Sequence, residues 1–181
     1  MKINPSKLFP CDIIATRSQT KYGKAIRAIL GSYTNHNGMA VEKDGKLRIG
    51  EAVSPVSRLT TIAEYNSDIA AGLVVRVWRV SKPGITTEEL TAVNDYFIDN
   101  LIGIKYPLSV ARLWVYRFVN NLPWTIHGEW CTRIVWDAWS KIVPDVLDRP
   151  DGKKKKNPTP RTLENRLVAG VLVDVTNEVI N

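Results

Sequence analysis

Hydrophobic positions follow two different rhythms along this chain. Up to residue 80 they mostly alternate with polar residues or run in short valine- and isoleucine-rich blocks, the pattern of strands. The spacing predicts strands over 12–17, 36–42, 46–53, 56–62 and 71–80, with one early helix over 21–30 closed by Gly31. Beyond residue 86 apolar residues recur every three to four positions, as on helices. Thr86-Thr87-Glu88-Glu89 has the spacing of a capping box and opens a helix to about Leu101. A second apolar helix is expected over 110–119 and a third from Cys131, ended by Pro144. A polar loop over 151–160, a helical turn over 161–166 and a last strand over 169–175 complete the chain. Strands first and helices later predict a single α+β domain over 1–181, with a mainly antiparallel sheet packed against helices.

The strands over 36–42 and 46–53 flank Asp44-Gly45, a strong signal for a two-residue hairpin turn. Such a turn pairs Lys43 with Lys46, which places His36 opposite Val53 and Glu51 opposite Gly38. Glu51 is then the diagonal neighbour of His36 on one sheet face, roughly 7–8 Å away at the backbone. A three-residue loop would move Glu51 to the other face. Glu42 shares the His36 face in either register but lies roughly 20 Å along the strand.

The stretch from Trp124 to Trp139 concentrates the rare residue types. It holds one of two cysteines, one of two histidines and four of six tryptophans, which makes it the first place to look for chemistry. Cys131, Val135, Ala138 and Ile142 fall on one helical face. Cys131 in a first helical turn faces unpaired N–H groups and the positive end of the helix dipole, which favour a thiolate. With a base in reach it becomes a nucleophile. A buried core cysteine has the same apolar spacing. His36, oriented by Glu51, is one candidate base. His127, four residues before Cys131, is the rival, although Gly128 opposes an early helix start.

Composition narrows the partners. Net charge is +7, which suits anionic surroundings such as nucleic acid, anionic lipid or anionic cell-wall polymer. Lys153, Lys154, Lys155 and Lys156 could contact phosphates, but no aromatic residues interleave them, so they read as a solvated loop. Two scattered cysteines and two histidines give neither a disulfide framework nor zinc spacing, and no glycine-rich phosphate loop is present, so no metal or cofactor is implied. No apolar run is long enough for a membrane span, and the N-terminus lacks the apolar segment of a signal peptide. The expectation is a cytoplasmic protein, or one delivered by a phage-type or other route.

Four segments together resemble a known group: Cys11-Asp-Ile-Ile-Ala15, Gly31-Ser-Tyr-Thr-Asn-His-Asn-Gly-Met-Ala-Val41, Gly50-Glu-Ala-Val53 and Trp130-Cys-Thr-Arg-Ile-Val-Trp-Asp-Ala-Trp139. In order and spacing, over roughly residues 10 to 140, they are similar to the circularly permuted NlpC-type papain-like hydrolases. Lecithin retinol acyltransferase-like enzymes belong to the same broad group. The resemblance implies a permuted papain-like fold with Cys131 as nucleophile, His36 as base and Glu51 as the orienting residue. It implies an acyl or peptide substrate: cell-wall muropeptide as the lead, with a lipid acyl bond as the alternative. Cys11 stands where that group has glycine, Asn35 where serine is common, and Thr132-Arg133 where Ser-Glu is frequent. A basic binding module or a catalytically silent structural part are the competing classes.

Overall fold

The computed structural model describes residues 1–105, 131–147 and 158–181. The Asp44-Gly45 turn sets its register. Both residues adopt positive φ (54° and 67°), as a two-residue hairpin turn requires. The turn joins β2 (His36–Lys43) to β3 (Lys46–Ala52), and Lys43 pairs with Lys46 as the sequence predicts. The strands β1 (Ile13–Arg17), β4 (Ser57–Thr61), β5 (Val74–Val80) and β6 (Leu172–Asp174) complete one six-stranded sheet in the order β4-β3-β2-β1-β5-β6. Every pairing is antiparallel, so the chain is α+β with an antiparallel sheet.

Strand alternation gives the sheet two apolar faces. One carries Ile13, Ala15, Met39, Val41, Ala52 and Trp78. Against it lie α3 (Thr87–Leu101) and α4 (Cys131–Ile142), through Val93, Phe97, Val135 and Ala138. The other carries Ile14, Ala40, Ile49, Val75 and Val77. It is covered by α2 (Ile62–Ala70), by α6 (Thr176–Val179) and by Ile3 and Leu8 of the N-terminal segment. The short helix α1 (Lys21–Leu30) follows β1, and α5 (Pro160–Val168) precedes β6.

Helix ends follow local sequence rules. Thr86 and Glu89 form the expected capping box, and Gly31 closes α1 in the left-handed conformation. The structure also differs from the sequence expectations. A helix, α2, fills 62–70, announced by a second capping box at Thr61 and Glu64. The strand expected over 71–80 begins only at Val74, because Gly72 turns the chain at φ 99°. The turn expected over 161–166 extends to a nine-residue helix with Pro160 in its first turn. The strand expected over 169–175 shortens to three residues. The helix expected over 110–119 and the loop over 151–157 lie outside the described residues. No helix among the described residues is long and apolar enough to cross a membrane.

Asp12 ties β1 to β5. It is fully buried, and both its oxygens accept from Arg79, at 2.7 Å each, while Phe9 N–H adds a third bond. This is a buried ion pair with its polar atoms satisfied, and removing one partner strands the other charge. Arg79→Met is expected to cost roughly 3 kcal/mol, because it leaves Asp12 uncompensated. The urea midpoint measures this, and a change within experimental error would show that the Asp12–Arg79 pair adds nothing to stability.

Candidate active site

The site begins from the hairpin register. Gly38 pairs with Glu51, so His36 and Glu51 share one face of the β2–β3 pair as diagonal neighbours. Gly38 lies between them. A Cβ there would come within 2.9 Å of the Gly50 carbonyl oxygen and 3.4 Å of the Glu51 Cβ. The missing side chain leaves room for Glu51 to lean across, and its carboxylate lies 3.0 Å from His36 Nε2. His36 itself pairs with Thr16 of β1, since β3 stops at Ala52, short of Val53.

Glu51 is buried, at 5% exposure, so its carboxylate needs partners. Thr60 Oγ1 of β4 donates to one oxygen at 2.6 Å. Tyr65 Oη of α2 donates to the oxygen that also faces His36, at 2.8 Å. Arg58 approaches at 3.5 Å from the solvent side. Burial alone would raise the pKa of this carboxylate. The hydrogen bond and charge of His36, followed by Thr60 and Tyr65, override it and bring the group from 4.5 to about 2.

Cys131 arrives from the other face. Strand alternation turns Asn37, next to His36, under α4, where Asn37 Nδ2 donates to Thr132 Oγ1 at 2.8 Å. That bond leaves the Thr132 hydroxyl proton free to point at the Cys131 sulfur, 4.0 Å away. His36 is the first residue of β2, so its ring stands at the rim of the sheet, within reach of the first turn of α4. Burial would raise the Cys131 thiol. The charge and hydrogen bond of His36, a backbone hydrogen bond from Asn37 and the Thr132 hydroxyl outweigh it and draw the thiol below its ordinary 9.0. Burial likewise would lower His36, but the charge and hydrogen bond of Cys131, then those of Glu51, raise it from 6.5 to about 10. With Nε2 committed to Glu51, Nδ1 is the ring nitrogen left for the thiol. The arrangement favours a thiolate–imidazolium pair backed by a carboxylate.

The three residues singled out by sequence therefore come together. Asn37, Thr60, Tyr65 and Thr132 also build the site and were not singled out. The Thr61–Glu64 capping box carried a signal for Tyr65, because it fixes the helix that presents it. His127, Tyr106, Trp114, Trp124, Trp130 and Lys153 to Lys156 lie outside the described residues. Asp12 is engaged with Arg79 and belongs to the sheet rather than to this site. Among the described residues no group of three His, Cys, Asp or Glu side chains is arranged to hold a metal ion.

No family model matches the chain, and no curated protein matches it. Among solved structures it is similar to the metalloprotein yiiX from Escherichia coli O157:H7, DUF1105. The TM-score is 0.59 at 19% identity, covering 90% of this chain and 82% of that one. A likeness at that identity concerns the fold alone.

The shifted carboxylate gives a pH signature. A folded pKa of about 2 against 4.5 contributes stability that is present above 4.5 and is lost as pH falls from 4.5 towards 2. Wild type is expected to exceed Glu51→Gln by on the order of 2–3 kcal/mol at neutral pH, with the gap closing across that acid window. The raised His36 acts oppositely: its contribution is complete below 6.5 and is lost as pH rises through about 10. Denaturant titrations of both proteins across pH would reveal these windows, and parallel curves would mean that Glu51 is not ionised in the fold.

Proposed function

We propose that the chain is a thiol-dependent acyl hydrolase with a permuted papain-like arrangement: Cys131 as nucleophile, His36 as acid and base, Glu51 as its orienting carboxylate. The observation that carries this reading is the His36 ring bonded to buried Glu51 through Nε2 at 3.0 Å, and against its burial the Cys131 thiol is lowered by the charge and hydrogen bond of that ring. The order histidine, carboxylate, cysteine along the chain is that of the permuted group it resembles.

In this reading the Cys131 thiolate attacks the acyl carbon, and the carbonyl electron pair moves to oxygen. The Cys131 backbone N–H is the donor to that oxyanion in this reading. Collapse breaks the acyl bond, and the leaving group takes the proton held by His36. His36 then removes a proton from water as the water attacks the thioester, and the acid product leaves with the thiolate restored. Glu51 holds the ring and stabilises its charged form throughout. The lead substrate is the amide of a cell-wall muropeptide, and a lipid acyl bond is the alternative within the same chemistry. The yiiX protein is named a metalloprotein, whereas in this chain both Glu51 oxygens are already engaged by Thr60, Tyr65 and His36.

The test is the rate of Cys131 alkylation by iodoacetamide against pH. Wild type is expected to label rapidly well below the ordinary thiol value of 9.0. His36→Ala should lose this low-pH reactivity by about a hundredfold, the scale of one acid–base partner. His127→Ala should keep it. Loss only in His127→Ala would move the base to that residue, and slow labelling in all three would make Cys131 a core cysteine. Cys131→Ala should abolish release of product from muropeptide or from an acyl ester, whichever wild type cleaves.

A further inference from the structure

Beside the nucleophile, on the same sheet face, lie two arginines that form no salt bridge among the described residues. Ala15 pairs with Asn37 on one side and with Arg76 on the other, so Asn37, Ala15 and Arg76 form one row across β2, β1 and β5. Arg17, two residues beyond Ala15, is the diagonal neighbour of Arg76 on that face. Asn37 is the residue that holds Thr132 beneath Cys131. Two strand spacings, about 10 Å, thus separate the foot of the nucleophile from the arginines.

Tyr33 covers the pair. The Arg17 guanidinium lies 4.5 Å from the centre of its ring. Tyr33 is 46% exposed, yet its backbone is pinned: Glu164 of α5 accepts from Tyr33 N–H at 3.1 Å and from the N–H and hydroxyl of Thr34, each at 2.7 Å. Glu164 is thereby engaged and neutralises neither arginine. Arg17 Nε is shut off from water and has no hydrogen-bond partner among the described residues, a costly state for a charged donor. Hydrogen bonds from Arg17 and Arg76, together with their charges, also lower the Tyr33 phenol below its ordinary value.

Resting on the hydrolase reading above, we propose that Arg17, Arg76 and Tyr33 form an anion subsite that binds a carboxylate or phosphate of the substrate about 10 Å from the scissile carbonyl. The two guanidiniums offer forked donors suited to a planar or tetrahedral oxyanion, and Tyr33 supplies a hydroxyl and an apolar wall. The subsite selects acyl compounds with an acidic group several bonds from the cleaved bond. A peptide carboxylate and a lipid phosphoryl headgroup both meet that description.

The experiment uses chloroacetamides that alkylate Cys131 and carry a tether of about 10 Å. One ends in a carboxylate, one in a phosphonate and one in a neutral carboxamide. Wild type is expected to react with a charged probe about tenfold faster than with the neutral one, as suits a charge-assisted hydrogen bond. Arg17→Gln and Arg76→Gln should each reduce that preference by slowing the charged probes towards the neutral rate. Lys43→Gln, which removes the same charge at the hairpin tip, should leave the preference intact. A faster carboxylate probe indicates a peptide substrate, and a faster phosphonate probe a phosphoryl headgroup. Equal rates for charged and neutral probes overturn the subsite and leave the Cys131 reading standing. A preference lost equally in Lys43→Gln overturns it as a diffuse effect of net charge. No reaction of Cys131 with any probe overturns both.

Discussion

The carboxylate of Glu51 is the constraint around which the rest of the site is arranged. A buried, unpaired carboxylate costs several kcal/mol, so the fold has to supply a positive charge or a full set of donors. It supplies both: Thr60 from β4, Tyr65 from α2, and the His36 ring from β2. Three elements are thereby fixed around one charge. The imidazole is held through Nε2, which leaves Nδ1 to face the thiol. The same charge that locks the ring also favours its protonated form, and the protonated ring favours the thiolate. The packing around Glu51 and the lowered Cys131 thiol share one electrostatic origin.

The hairpin makes this possible with little machinery. Its two-residue turn fixes a register in which a diagonal pair meets across a glycine, and strand alternation sends the next residue, Asn37, to the opposite face. One dipeptide, His36-Asn37, therefore serves both sides of the sheet. His36 engages the buried carboxylate, and Asn37 holds Thr132 at the start of α4. A one-residue slip would exchange these roles and break both contacts.

How far this was legible in sequence depends on whether the signals were local. Asp44-Gly45 fixed the turn, the turn fixed the register, and the register brought Glu51 to His36. The Cys131 helix showed itself through the spacing of Cys131, Val135 and Ala138, all of which are buried. The helix over 62–70 is masked in the sequence pattern because Ile69 merges with the following apolar run and hides the break at Gly72. Tyr65 was lost with it. The bond between Asn37 and Thr132 could not be read, because it joins positions 95 residues apart and no local signal pairs them. The identity of the short final strand was visible but its length was not, because its three residues are fixed by pairing to Trp78, Arg79 and Val80 rather than by propensity.

The two cysteines show why burial alone does not identify a nucleophile. Both are buried and both are free thiols. Cys11 sits at φ 71°, a left-handed conformation that favours glycine. Its thiol donates to the Leu90 carbonyl at 3.3 Å. Burial, then the charge of neighbouring Asp12, pushes it up to about 12, so it stays protonated and unreactive. Cys131 bears the same burial penalty, but a protonated imidazole, a backbone N–H and a hydroxyl face it instead of carboxylates. The sign of the surrounding charge separates the two. His36, held by Glu51, supplies most of that sign and Asn37 and Thr132 the rest, so the lowered thiol of Cys131 belongs to the hairpin as much as to the helix that carries the sulfur.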